Sequence, residues 1–318
     1  MKFWLRAVIS LALLGLVLWQ LDLEQALRAL QTVQRGFLFL TLAALAAGVF
    51  WSAWKWQILA RCFVPVPRYG TLVRWYFLGS FFNHFLPTSV GGDAARAALL
   101  AQATKNLPVA VSSVFMERLT GVTALIAIAA TGSLLTPVPS SLRFLLPIYL
   151  LIMGGLIFLI AWLFRKSPPA EEKPEPNPHS GKLTRHVRLF GSQLAAYRGH
   201  LGTVGWALLL SVGFHLLSIT SVYLVGRTLQ IDLTWTMCLL CVPLAMLASM
   251  LPVSINGLGV RESVYVVLLS RYGLSNEQAF LVGFGTYLFV LMVSLAGGLW
   301  AMFGEKRPPG EENSVVDD

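Results

Sequence analysis

The sequence predicts an all-α, polytopic membrane protein made of two halves of inverted topology, each with a broken, re-entrant helical hairpin. Three observations carry that expectation. Of the 318 residues, 56% are hydrophobic and only 12% charged. A soluble domain carries about 25% charged residues, so this chain cannot coat a globule of its size. Collagen-like, disordered and disulfide-scaffold classes are excluded by the same proportions. Apolar runs long enough to span a bilayer recur along the chain. Two further apolar runs stop at Pro- and Gly-rich breaks that match one another at a shift of 165 residues.

A helical span needs about 20 mostly apolar residues. Six runs qualify, at roughly 4–20, 36–59, 108–135, 144–164, 203–229 and 277–303. The first follows Lys2 and Arg6 but lacks a small-x-small cleavage site in Gln20-Leu21-Asp22-Leu23-Glu24, and reads as a retained signal anchor. Residues 72–87 stop at Pro87, before Gly91 and Gly92; residues 236–252 stop at Pro252, before Gly257 and Gly259. Proline removes a backbone donor and glycine loosens the chain, so neither run continues as a helix. Each is followed by a short helical segment, 93–105 or 260–271. In hydrocarbon such a break survives only where protein or a watery cavity satisfies the freed backbone groups. Both are therefore expected to enter the membrane and return to the same side. Residues 165–181 read as a Pro-rich cytoplasmic linker. In the helix that follows, Leu183, Val187, Phe190, Leu194, Tyr197 and Leu201 form an apolar stripe, with Lys182, Arg185, Arg188 and Arg198 off it. This pattern suits an anionic leaflet surface.

The domain organisation follows: a first half over 1–140 with hairpin 72–105, a second over 141–305 with hairpin 236–271 and the linker and basic helix of 165–201, and a cytoplasmic tail over 306–318. With the N-terminus inside and both hairpins re-entrant, 15 Lys and Arg fall on cytoplasmic segments and 5 outside. That bias obeys the positive-inside rule and puts both termini in the cytoplasm. The net charge of +9 is thus a matter of topology, with no nucleic-acid partner implied. Cys62, Cys238 and Cys241 lie in or beside apolar runs; the Cys238–Cys241 pair lacks accompanying ligands, so neither a disulfide framework nor a metal site is expected.

Leu86 to Arg96 aligns without gaps on Leu251 to Arg261, with five of eleven positions identical, and the same shift maps span 36–59 into span 203–229. Paired Gly/Pro-interrupted segments in two inverted halves point to a transporter binding site near the midplane. Two motifs are then in view: Asn83-x-x-x-Pro87-x-x-x-Gly91-Gly92-Asp93-x-x-Arg96, and Pro252-x-Ser254-x-x-Gly257-x-Gly259-x-Arg261-Glu262. With Glu117-Arg118 in the following span, they resemble the lysylphosphatidylglycerol synthase transmembrane (flippase-like) family over about residues 5–303. The resemblance implies movement of a polar lipid between leaflets of a bacterial inner membrane. The short tail implies a stand-alone member without the soluble synthase domain. Asn256 stands where the family more usually has glycine; asparagine tolerates a positive φ there.

Ionisable groups at membrane depth are costly and mark candidate sites. Asp93 and Arg96, at i and i+3, share a helical face and can pair. They also lie beside the exposed N–H groups of a helix start, an anion site. Arg261 and Glu262 occupy the equivalent place. A phosphate headgroup held by Arg96 and Arg261 as forked donors, with Asp93 and Glu262 orienting them or contacting a positive or hydroxylated headgroup, is the expected site. Asn83, Gly91, Gly92, Ser254, Gly257 and Gly259 shape its turns, Glu117 and Arg118 adjoin it, and Pro87 and Pro252 make the breaks. His84 and His215 read as interior residues and Lys55 as snorkelling to the cytoplasmic surface. Trp51, Trp54 and Trp56 read as an interfacial belt. No nucleotide fingerprint, metal motif or catalytic motif is present, so the expectation is a non-enzyme without cofactor that binds or translocates an anionic, phosphate-bearing lipid. The alternatives are a membrane partner of a separate glycosyl- or aminoacyl-transferase, and an intramembrane transferase using Asp93 or Glu262 as base.

Overall fold

The computed structural model describes residues 33–85, 91–135, 140, 143–166, 190–251, 253–254 and 256–303. Among them there is no strand. Within these residues nine helices carry the fold: α1 Arg35–Arg61, α2 Tyr69–Phe85, α3 Gly91–Thr104, α4 Leu107–Leu135, α5 Leu145–Lys166, α6 Leu201–Thr228, α7 Trp235–Met250, α8 Val260–Leu269 and α9 Asn276–Phe303. A helical lead-in from Phe190 runs into α6 through a 3₁₀ turn at Tyr197–His200. Arg165 and Lys166, expected in the linker, still belong to α5.

Among the described residues, four helices are long and apolar enough to cross a bilayer: Arg35–Arg61, Leu107–Leu134, Phe190–Thr228 and Asn276–Ala301. They coincide with four of the six expected spans. The 22 residues of α5 cover the span expected at 144–164, and the span at 4–20 lies outside the described residues. Phe39, Leu151 and Phe158 are each more than 70% exposed, which in water would be a liability and in lipid is the natural outer face.

The hairpin helices are shorter. The 16 residues of α7 reach about 24 Å at 1.5 Å per residue, less than the roughly 30 Å of a hydrocarbon core. Leu251, its C-cap, is already extended, and the chain turns over Asn256–Gly259 before α8. Pro87 and Pro252, expected to make the two breaks, lie outside the described residues. So do 167–189 and the tail.

The shift of 165 holds helix by helix: α1 maps onto α6, α2 onto α7, α3 onto α8 and α4 onto α9. The packing repeats with it. α2 packs on α3 as α7 does on α8, α3 on α4 as α8 on α9, and α4 on α7 as α9 on α2. Gly132 of α4 receives Leu239 of α7, and its equivalent, Gly297 of α9, receives Phe77 of α2. Small residues let transmembrane helices approach closely. α1 and α6 pack directly against each other and run antiparallel. Thr41 near the start of α1 meets Thr228 at the end of α6, and Trp51 donates to the Leu210 carbonyl at 2.9 Å.

The apolar stripe of the basic helix has a different partner from the one expected. Tyr197 is fully buried, donates to the Leu59 carbonyl at 3.1 Å and meets the Phe63 ring edge-on, while Leu194 joins Leu59, Met116 and Ala207 in a small core. Phe190 packs on Phe115. Over its described part the stripe therefore covers α1 and α4 and not a leaflet; burying an aromatic body against protein removes more water-exposed surface than resting it at the interface. Leu201 alone of these residues stays largely exposed.

Candidate functional site

α2 and α3 meet backbone to backbone. A Cβ at Gly92 would collide with the Gly79 carbonyl, so only glycine permits the approach. Gly91 opens α3, and Asn83 Oδ1 accepts the Gly92 N–H at 2.8 Å, satisfying a donor at the helix start. This fixes the first turn of α3 and with it Asp93 and Arg96.

Arg96, 2% exposed, donates from Nη2 to Asp93 Oδ1 at 2.6 Å and from Nη1 to Glu117 Oε2 at 2.9 Å. Its guanidinium also lies over the rings of Tyr76, at 4.1 Å, and Trp56, at 5.1 Å. Arg118 donates from Nε to Asp93 Oδ2 at 2.7 Å, with its side chain 45% exposed. The Tyr76 hydroxyl donates to Glu117 Oε1 at 2.9 Å. Two carboxylates and two guanidiniums thus balance one another in a closed network. Glu117 and Arg118, adjacent on α4, turn to different partners, as their 100° separation requires.

Three expectations change here. Arg96 is buried, paired with two carboxylates and placed over two rings, so it is not the free headgroup donor expected. Lys55 does not snorkel: it is 4% exposed and donates to the Glu117 carbonyl at 3.2 Å and Ser211 Oγ at 3.0 Å. Inward hydrogen bonds to two acceptors replace water for its ammonium. Trp56 is fully buried, donating to Ser113 Oγ at 3.1 Å, and does not belong to an interfacial belt, whereas Trp54 is 41% exposed. His215 is interior, with Nε2 at 2.9 Å from the Gly121 carbonyl and Nδ1 without a partner; His84 Nδ1 lies 2.9 Å from the Ser80 carbonyl.

The second turn is built differently. Asn256 (φ 48°), Gly257 (φ 75°) and Gly259 (φ 81°) all take positive φ. Glu262, fully buried, accepts the Gly259 N–H on Oε2 at 2.7 Å. Its other oxygen, Oε1, has no partner, nor has Ser254 Oγ. Arg261 does not pair with Glu262. Its Nη2 reaches the Asn256 carbonyl at 3.4 Å, and its guanidinium lies 5.8 Å from the Tyr287 ring centre. The reason is in the sequence: the positions equivalent to Asp93 and Glu117 are Leu258 and Val282. Without those carboxylates, Arg261 is left for the interior.

That interior is a cavity of about 320 Å³ between α1, α2, α6, α7, α8 and α9. Its wall is apolar, studded with hydroxyls such as Ser80, Ser221 and Ser249, and among the described residues Arg261 is the one charged residue that lines it. Tyr76 lines it as well, standing between the cavity and the Arg96 network. The lining hydroxyls escaped the sequence reading. Their signal was helical spacing: Tyr76 and Ser80 are four apart, Ser218 and Ser221 three apart, on otherwise apolar helices.

Fold and site together define a multi-pass helical membrane protein with buried charges and a largely apolar internal cavity. The chain belongs to the lysylphosphatidylglycerol synthase transmembrane family, whose model, described as "Lysylphosphatidylglycerol synthase TM region", matches residues 3–298 of 318. That membership sets the protein in a membrane-lipid context. Compared with curated proteins, the chain matches none.

Proposed function

We propose that this protein binds the headgroup of an anionic, phosphate-bearing lipid and carries it between leaflets without altering it chemically. The observation that carries the reading is the cavity in which Arg261 is the sole charge among the described residues. A guanidinium forks to phosphate oxygens, and in an apolar surround its attraction for an anion is far stronger than in water. Around it the hydroxyls accept or donate to glycerol or sugar groups, while acyl chains remain in the bilayer. The Asp93–Arg96–Glu117–Arg118 network serves as the fixed wall behind Tyr76.

In this reading the two halves are inverted repeats, supported by the antiparallel packing of α1 on α6 and the matched contacts at the shift of 165 residues. Hairpins α2–α3 and α7–α8 enter from opposite sides, and rocking of one half against the other exposes the cavity alternately. Both termini lie in the cytoplasm of a bacterium whose inner membrane holds the protein.

Native mass spectrometry of the purified chain tests the binding step. Phosphate-bearing lipid should co-purify with the wild type and be lost from Arg261→Gln, while Arg96→Gln retains it. Equal retention by wild type and Arg261→Gln would sink the reading.

A further inference from the structure

We propose that Arg118 holds the phosphate of a membrane lipid on the outer surface of the helix bundle, at a site separate from the cavity. The first observation is its depth. Arg118 lies eleven residues past Leu107 and seventeen before Leu135, about 16 Å and 25 Å from the two ends of α4. A hydrocarbon core is about 30 Å thick, so this residue sits well inside it, yet its side chain is 45% exposed. The second is its unused fork. Nε donates to Asp93 Oδ2 at 2.7 Å, and neither Nη group has a hydrogen-bond partner among the described residues. Ionisable groups at such depth mark functional sites by default.

Charge and surface both say what meets that fork. With Lys55 bonded to the Glu117 carbonyl, three positive groups (Lys55, Arg96 and Arg118) stand against two carboxylates, Asp93 and Glu117. One positive charge is in excess, and an anion at Arg118 cancels it. Leu107, Val111 and Phe115 precede Arg118 at steps of four, four and three, and all are exposed. One apolar face of α4 therefore leads up to the guanidinium. Phe190 meets Phe115 edge-on, with ring centres 5.4 Å apart. Outward N–H donors find no acceptor in hydrocarbon and are costly there. An anionic lipid supplies both halves of the match, phosphate oxygens for the fork and acyl chains for the apolar face. A free inorganic anion matches only the fork.

Asp93 fixes the guanidinium through Nε, which leaves the two Nη groups to donate side by side to phosphate oxygens. The repeat offers no second copy. The position equivalent to Arg118 is Gly283, where a Cβ would press on Tyr265. The site goes beyond the cavity reading and does not rest on it. Being open to the bilayer, it exchanges lipid with detergent, so titration reads it and co-purification does not.

The test uses the full chain carrying Arg261→Gln, stripped of lipid in neutral detergent, so that the cavity's charge plays no part. Native mass spectrometry follows titration with phosphatidylglycerol, with diacylglycerol of the same chains, and with inorganic phosphate. Phosphatidylglycerol should bind roughly ten-fold more tightly than diacylglycerol, as hydrogen bonds to a charged group allow. Adding Arg118→Gln should erase that preference. Arg118→Lys keeps a positive charge beside Asp93, and with it the fold, but loses the fork; it should lose most of the preference too. Equal binding of the two lipids by the parent would mean that water meets the fork, and overturns the site. An undiminished preference in both folded variants overturns it as well. Inorganic phosphate binding as tightly as phosphatidylglycerol would overturn the lipid as occupant. Each of these failures leaves the Arg261 reading standing, whereas equal lipid retention by wild type and Arg261→Gln on purification sinks that reading alone.

Discussion

A guanidinium held by two carboxylates and two rings is a framework group, and its removal should be felt as lost stability. Arg96→Ala leaves Glu117 facing the gap and Asp93 with Arg118 alone; breaking a buried pair in this way costs about 3–5 kcal/mol. Denaturant unfolding in detergent should show that loss. Arg96→Lys should recover little of it, because an ammonium cannot bridge both carboxylates in a plane. Arg261→Ala removes one long hydrogen bond and should cost no more than about 1 kcal/mol. Similar losses at the two positions would contradict the division between framework and site. The Asp93–Arg96 pair was legible in the sequence because i and i+3 share a face. Glu117 and Lys55 were not: their partners lie 21 and 156 residues away, and no local pattern encodes such separations.

Helices are where the sequence spoke most clearly. Runs of about 20 apolar residues have one structural outcome in a bilayer, and proline and glycine mark where the shorter helices stop. The destination of the basic helix's stripe was not legible, since an apolar face at helical spacing is the same pattern whether it meets lipid or protein. The α2–α3 crossing gives this scale its prediction. Gly79 and Gly70 lie on the same helix, yet a Cβ at Gly79 would press on Arg96 and the Gly92 carbonyl, whereas at Gly70 it would meet nothing within 4 Å. Gly79→Ala should destabilise by about 1–3 kcal/mol through overpacking. Gly70→Ala should be neutral or add up to about 1 kcal/mol from helix propensity. Melting temperatures in detergent separate the two; equal shifts would deny the close approach.

For the whole molecule, the shift of 165 residues was first visible in eleven residues around each break, and the structure extends it to four helices and their contacts. What the repeat concealed was its asymmetry. Leu258 and Val282 replace Asp93 and Glu117, so one half fixes its arginine in a network and the other offers it to the cavity. In a background lacking Cys62, Cys238 and Cys241, cysteines at Ala170 and Gly310 should label only from the cytoplasm and one at Val138 only from outside. Labelling of position 170 from outside would overturn the inverted arrangement and with it alternating exposure. The central claim, that Arg261 is the charge on which lipid movement depends, is tested most directly in liposomes. Transfer of a labelled phosphate-bearing lipid between leaflets is followed for wild type, Arg261→Ala and Arg261→Lys, each verified as folded. The account predicts movement with the wild type, none with Arg261→Ala and poor rescue by lysine; undiminished transfer by folded Arg261→Ala would contradict it.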